Sequence, residues 1–343
     1  MNISNIDIEK AIEKVNKVKP FSGVVLVEHN ENIIFQRAYG FANRSEEILN
    51  TMDTRFGIAS GCKIFTAAAI CQLVEKGLLS FDTLLKDCLN TSFTHFDNNI
   101  SVHHLLTHSS GIPDYFDEDV MTDYEELWND MPMYRMKSPK DFISMFANQK
   151  MKFTPGSKFQ YNNTGFIILG LIIEQQTGMS FTDYVEKNIF LPCNMNDSGY
   201  FSLDRLPKKV AYGYIDNESD GTWKTNIYSI PIIGGPDGGA FVTAADMIKF
   251  WKGLFGGKLL SKEYIQKLTT DYISAGDEEH YGYGIWISKR KNEIYKYHLM
   301  GGDPGVCFRT SFYPEKDIRI VVMGNKDSGA YAITKEIENS ILM

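Results

Sequence analysis

The sequence is short of several things, and each shortage closes off a class of protein. It has five cysteines in 343 residues, at positions 62, 71, 88, 193 and 307. They are odd in number, widely spaced and free of metal-ligand spacing, which argues against a disulfide framework or a cysteine-built zinc site. Three lie in apolar runs and read as small buried hydrophobes, a usage that suits a reducing compartment. Positive charge is also scarce: 35 Lys and Arg against 43 Asp and Glu leave a net charge of −8. That balance lacks the basic footprint that nucleic acid or an anionic membrane surface requires. No apolar run approaches the length of a membrane span. Residues 1–10 carry no basic segment followed by an apolar one, so no signal peptide is expected and the chain reads as cytoplasmic. Internal repeats and low-complexity linkers are absent. At 43% hydrophobic and 23% charged residues, the chain can bury a large core, and a single catalytic domain over residues 1–343 is expected.

What is present is organised around Arg55-Phe-Gly-Ile-Ala-Ser60-Gly-Cys-Lys63-Ile-Phe-Thr-Ala-Ala-Ala-Ile70. The stretch reads as an extended lead-in turning into a buried helix at Ser60, with Ser60 suited to the N-cap and Gly77 to the stop. Residues three apart on a helix sit about 60° apart around the axis, so Lys63 lies one turn from Ser60 on nearly the same face. A hydroxyl needs a base within hydrogen-bond reach to act as a nucleophile, and a lysine on an apolar helix can be that base because desolvation favours its neutral form. The helix start also favours an oxyanion beside Ser60. A second serine-x-x-lysine, Ser288 to Lys291, falls in a charged turn with nothing to desolvate its lysine.

Along the rest of the chain, residues 5–17 have the spacing of an amphipathic helix. Phe21–His29 and Ile33–Tyr39 read as a hairpin across Asn30-Glu31-Asn32. Between about 80 and 280, helices alternate with Asp-, Asn-, Pro- and Gly-rich loops. His103, His104 and His108 are close together, but no carboxylate or cysteine joins them in a metal pattern, and a structural helix over 102–111 is the better account. Residues 114–135 form an acidic, aromatic insertion of the kind that lines a cleft. Strands return at 281–288, 294–299, 305–313 and 318–323, and a helix closes the chain at 331–342. The expected fold class is therefore α/β: an antiparallel sheet built from both chain ends (about 1–58 and 280–343), flanked by helices, with a mostly helical lobe (about 60–279) inserted. Ligand sites tend to lie in the cleft between two such parts.

Tyr161-Asn-Asn163 stands just before a strongly apolar helix, and it is the only tyrosine-x-asparagine in the chain. Together with Ser60-x-x-Lys63, it resembles the class C β-lactamase and penicillin-binding-protein-like serine hydrolases, a group that includes esterases and D-amino-acid peptidases. Further stretches agree in order: His104-Leu-Leu-Thr-His-Ser-Ser-Gly-Ile-Pro-Asp114, Gly238-Gly-Ala-Phe-Val-Thr-Ala-Ala-Asp246 and Tyr281-Gly-Tyr-Gly-Ile-Trp286. The resemblance covers roughly residues 15 to 335. It implies the β-lactamase/transpeptidase-like fold, a covalent acyl-enzyme on Ser60, and proton handling shared by Lys63 and Tyr161. Asn163 would orient Lys63 or the substrate, and backbone N–H groups of Ser60 and the later strand would hold the oxyanion. No metal and no cofactor is implied, and the partner is a small-molecule acyl substrate. Nothing fixes an oligomeric state.

Two departures from the family stand out. Cys62 replaces a small hydroxyl residue beside the nucleophile, and no histidine is placed by motif to pair with it. The third family motif is a lysine or histidine, a small residue, then glycine on the strand lining the cleft. Here the text is Tyr297-His-Leu-Met-Gly-Gly-Asp-Pro-Gly305. Anchoring on Gly301 and Gly302 puts Leu299 at the basic position and His298 on the face away from Ser60; anchoring on His298 instead makes it the substrate-binding base and leaves Met300 where glycine belongs. The candidate site is thus catalytic Ser60, Lys63 and Tyr161, with Asn163, His298, Gly301 and Gly302 for substrate. The expected activity is hydrolysis of small carboxylic esters or D-amino-acid peptides and amides, with weak or no β-lactamase activity. A non-catalytic ligand-binding relative is the alternative.

Overall fold

The computed structural model describes residues 5–342; the first four residues, part of the stretch read for a leader, and Met343 lie outside it. Its strands are β1 (Gly23–His29), β2 (Asn32–Tyr39), β3 (Ile273–Ser274), β4 (Glu279–Tyr281), β5 (Trp286–Arg290), β6 (Glu293–Asp303), β7 (Val306–Tyr313) and β8 (Ile318–Gly324). They form one eight-stranded sheet in the order β2-β1-β8-β7-β6-β5-β4-β3, with every neighbouring pair antiparallel. The two chain ends meet in it, because β1 pairs with β8 from Gly23–Gly324 to His29–Ile318. The hairpin between β1 and β2 turns on Asn30 and Glu31, at φ 48° and 64°, the geometry that matches strand twist in a two-residue loop.

Side chains alternate across a strand, and β8 is apolar on both faces because both are covered. Ile318, Ile320 and Val322 face α1 (Asn5–Asn16) and the last long helix, Ala330–Ile341. Val321 and Met323 face the helical lobe. The first helix buries Ile8, Ala11 and Ile12, and the last buries Ala330, Ile333 and Ile337, each set at helical spacing. In the lobe, α2 (Lys63–Glu75) is buried along every residue from Lys63 to Leu73, and α3 (Asn163–Thr177) is buried along most of its length. Helices apolar all round belong in the middle of a core. Full burial of Ile64, Phe65, Ile70 and Leu73 contributes about 1.5–3 kcal/mol each, which anchors α2 far more firmly than its helix propensity could. The remaining long helices are α4 (Ala244–Phe255), capped by Thr243, and α5 (Ala330–Ile341). No helix among the described residues is long and apolar enough to cross a membrane.

The boundaries differ from the sequence reading in three places. The chain rejoins the sheet at Ile273 rather than near 280, through strands too short to show a period. The strand expected over 281–288 is two strands. Gly284, at φ +67°, bends the chain between them, and a Cβ there would lie 2.7 Å from the Ala67 side chain and 2.9 Å from the Lys63 carbonyl. The helix expected over 102–111 is a single turn, Val102–Leu106, capped by Ser101; His108 then takes a left-handed φ of 55° and leads the chain toward the cleft.

Candidate active site

The region around Ser60 is built by a forced turn. A two-residue strand, Phe56–Gly57, pairs with Phe241–Val242. Ile58 then donates to the Ala240 carbonyl at 3.0 Å, and Ala59 flips to a left-handed φ of 46°. Residues Ala59–Cys62 form a 3-10 turn, and α2 starts only at Lys63. Ser60 is therefore not the N-cap that its sequence position suggests. The reason is geometric: in a 3-10 turn, residues three apart eclipse, so the Ser60 hydroxyl sits over Lys63 rather than over the helix start. Lys63 Nζ lies 2.9 Å from Ser60 Oγ. The Cys62 thiol is turned away toward the Gly235 carbonyl at 3.5 Å, and complete burial pushes it up to about 12.

Lys63 has two further partners, the Asn163 Oδ1 at 2.8 Å and the Asp237 backbone carbonyl at 2.7 Å. Three acceptors around one Nζ fix its position. Asn163 is the first residue of α3, and the cap is its neighbour Asn162, whose side chain accepts from Gly165 N at 2.7 Å. Freed from capping, Asn163 points its carbonyl oxygen at Lys63. Asp114 holds that helix start, accepting from the backbone N–H of Asn163 at 2.8 Å and of Thr164 at 3.0 Å. Burial pushes the Asp114 carboxyl up to about 7, against these N–H groups and Lys63, which favour its charge.

Tyr161 shares the site. Lys63 Nζ lies 4.9 Å from its ring centroid. Burial, with Glu118, Asp237 and Asp114 nearby, holds Tyr161 well above the usual phenol range against the opposing influence of Ser60, so it rests as neutral phenol. His108 packs on its ring at 4.4 Å and is buried, with Nδ1 accepting from Asn162 N at 3.1 Å. Burial and Lys63 hold His108 neutral, well below the usual imidazole range. Neither His103, bonded to Tyr283 at 2.9 Å, nor His104, in the cap with Ser101, reaches this group. Among the described residues, no group of three or more His, Cys, Asp or Glu is arranged to hold a metal. In the second serine-x-x-lysine match, Ser288 bonds Glu279 and Lys291 sits in a left-handed hairpin turn, far from such an environment.

The strand parity of β6 decides the third motif. Gly301 faces Ser60: a Cβ there would lie 2.0 Å from the Ile58 carbonyl and 2.9 Å from Gly61 N, so only glycine allows this approach. Leu299 and Asp303 share that face, and Leu299 is buried in the lobe-side core. His298 is on the opposite face, against α5. Its Nε2 lies 2.9 Å from Glu279 Oε2, and it lines a separate cavity with Arg309 and Tyr331. The structure therefore removes His298 from the candidate substrate-binding set, while Gly301 and Gly302 stay at the site. The pairing of β6 with β5 ends at His298–Trp286, so one edge of residues 299–303 is left without a strand partner beside Ser60.

These groups open onto a cavity of about 800 Å³, lined by Ser60, Asn163 and Gly302 and walled by the acidic, aromatic segment that begins at Tyr115. Asp237, buried and bonded by the Tyr115 hydroxyl, and Asp303 also line it. Sequence reasoning did not single out Asp114, Asp237 or Asp303, and it weighed His108 only as a metal ligand or part of a structural helix. The available signal was weak: each stands inside or beside a stretch that resembles the family, yet none has a spacing that marks it.

The sequence model of the Beta-lactamase family matches residues 8–338. A penicillin-binding protein from Bacillus halodurans has a solved structure 52% identical to this chain, with a TM-score of 0.92 over 96% of this chain and 99% of that one. A penicillin-binding protein of Bacillus subtilis is 27% identical over 98% of this chain and 74% of the relative. The D-amino acid amidase from Ochrobactrum anthropi, at 20% identity, shares the fold with a TM-score of 0.79 over 98% of this chain and 99% of that one. With a serine-bearing turn, a lysine-bearing buried helix and a cleft-side strand in the family's order, the chain belongs to the Beta-lactamase family and is a serine hydrolase of the penicillin-binding-protein type.

Proposed function

We propose that the enzyme hydrolyses small carboxylic esters or D-amino-acid amides and peptides through an acyl-enzyme on Ser60. The observation that carries this reading is the 2.9 Å contact between Ser60 Oγ and Lys63 Nζ, in a buried cluster that opens on the cleft. Lys63 Nζ takes the Ser60 proton while donating to Asn163 and the Asp237 carbonyl. Once protonated, it still has three acceptors for its three N–H bonds. Ser60 Oγ then attacks the acyl carbon, and the carbonyl electrons collect on an oxyanion facing the N–H groups of Ser60 and Gly302. Ser60 lies in the 3-10 turn leading into α2, where the first N–H groups have no intrahelical acceptor. Tyr161, resting as phenol, donates a proton to the departing alkoxide or amine and regains one through Lys63. Lys63 and Tyr161 act as one proton-handling unit, and water attacking the ester reverses the sequence.

A buried Leu299 offers no charge to a substrate carboxylate, so penicillins should acylate slowly and turn over poorly. Five free, buried cysteines suit a reducing compartment, where this reading places the enzyme. The test is intact mass after exposure to a fluorophosphonate and, separately, to a penicillin. One fluorophosphonate adduct is expected on wild type and on Cys62→Ala, and none on Ser60→Ala. An adduct that disappears in Cys62→Ala would overturn the mechanism, and no adduct on any form would favour a binding role for the cleft.

A further inference from the structure

The cleft carries more negative charge than its chemistry uses. Six carboxylates line it, and the single basic side chain in the lining, Lys224, is committed to Glu125 at 2.7 Å. Most of these carboxylates have work. Asp123 accepts from Glu125 N at 2.8 Å, Asp237 from the Tyr115 hydroxyl, Asp327 from Gly305 N, and Glu118 from the Asn163 amide at 3.4 Å. Asp303 differs. Among the described residues its side chain has no hydrogen bond and no ion pair, although it is more than half enclosed and faces the cavity. It follows Gly302 directly, on the same face of β6 as Gly301, at the unpaired edge beside Ser60. Asp237 and Glu118 repel it, and Lys63, the one cation acting on it, is already saturated by three acceptors.

A carboxylate in that position is costly to keep unless something cationic completes it. Tyr115, Phe116 and Tyr124 also border the cavity, and aromatic faces favour cations over anions. We infer that the enzyme selects substrates with a positively charged amino group close to the scissile carbonyl, and that Asp303 receives that ammonium. Residues 299–303 supply the geometry. An extended acyl chain laid along the unpaired edge puts its carbonyl oxygen at the Gly302 N–H and its ammonium one residue further on, at Asp303. Burial and the neighbouring carboxylates already push Asp303 up to about 7, which is the repulsion that a bound ammonium would relieve.

The inference rests on the acyl-enzyme reading, and the experiment separates the two. It compares kcat/KM for D-phenylalanine methyl ester, its N-acetyl form and its N-succinyl form, in wild type, Asp303→Asn, Asp303→Glu and Ser60→Ala. Wild type should prefer the free amine over the N-acetyl ester by about tenfold or more, with the succinyl ester the poorest. Asp303→Asn should lower the amine-to-acetyl ratio by about tenfold, and Asp303→Glu should restore part of it. The preference should shrink as salt rises and be indifferent to EDTA or added Mg²⁺. Using a ratio cancels any effect on the chemistry at Ser60. Ser60-dependent hydrolysis of all three esters with an unchanged ratio in Asp303→Asn would overturn the inference alone. Loss of the preference with EDTA would assign Asp303 to a metal and also overturn it. Hydrolysis that survives in Ser60→Ala would overturn the underlying reading. As a readout independent of turnover, benzylammonium should slow fluorophosphonate labelling of wild type more than benzyl alcohol does, and equal protection would count against the inference.

Discussion

An unpaired carboxylate held among other carboxylates should destabilise the protein, and Asp303→Asn makes that measurable without any substrate. The Asp303 carboxyl rises from 3.8 to about 7 on folding, with burial the largest cause and Asp237 next. The sign follows from linkage. Between about pH 4 and 7 the folded state holds a proton on Asp303 that the unfolded state has lost. Stability from this group is therefore fully present below about pH 4 and is lost as pH rises through 7. A shift of that size corresponds to about 4 kcal/mol. Water in the half-open cleft screens part of it, so the net penalty above pH 7 should be about 1–3 kcal/mol. Asparagine has the same shape and no charge, and no hydrogen bond is forfeited, because the carboxylate makes none among the described residues. At about 2.1 cal/mol/K of unfolding entropy per residue, this corresponds to a rise in Tm of about 1.5–4 °C for a chain of this length.

The assay is differential scanning calorimetry of wild type and Asp303→Asn from pH 4 to 8.5. The Tm difference should be near zero at pH 4 and grow to its full value by pH 8. Asp114, also pushed up to about 7, titrates in the same window in both proteins, so the difference curve isolates Asp303. A variant that melts lower at pH 8, or a difference that is flat with pH, would refute the reasoning. Either result would mean that Asp303 is already compensated, Lys63 being the nearest candidate.

Two more outcomes follow from the site. Lys63→Ala, Tyr161→Phe and the double variant should lose similar activity toward a small ester, because members of one proton-handling unit are strongly non-additive; log-additive losses in the double-mutant cycle would show that they act separately. His298→Ala should change ester turnover by less than about fivefold, since the imidazole lies on the far face of β6 paired with Glu279, and a hundredfold loss with intact circular dichroism would contradict that placement.

What could be read from the sequence was whatever is encoded locally. Both chain ends declared their strands through β-branched and aromatic runs, and Ser60 with Lys63, like Tyr161 with Asn163, shows its chemistry in a spacing of two or three residues. What could not be read was set by tertiary contact. Ser60 looked like an N-cap because serine before an apolar run usually is one. The left-handed Ala59 and the pairing of residues 56–57 with 241–242 impose a 3-10 turn instead. That Asn162 rather than Asn163 caps α3 depends on its bond from Gly165 N, and Asp114 holds the helix start from across the fold. The break of the 281–288 strand depends on how closely Gly284 meets α2, a distance no local pattern encodes. Asp114, Asp237 and Asp303 matter because of what surrounds them, and a carboxylate in a loop carries no mark of its future burial.

The parity of β6 gives the departure in the third motif its physical meaning. Residues 299, 301 and 303 share the face toward the nucleophile turn, so a recognition charge can stand at either end of that triplet without disturbing the glycine between. In the family this sequence resembles, the charge stands at the first position and is positive. In this chain that position is Leu299, packed into the core, and the charge stands at Asp303 and is negative. Four residues of strand are about 13 Å, the span of an extended tetrapeptide, so sign and location change together. A pocket altered at only one end would merely weaken binding of the usual anionic substrate. Altered at both, it repels a carboxylate and attracts an ammonium while the Ser60–Lys63–Tyr161 cluster beneath is left alone. On this reading, the departure changes which acyl group the enzyme accepts and leaves the way it cleaves that group intact.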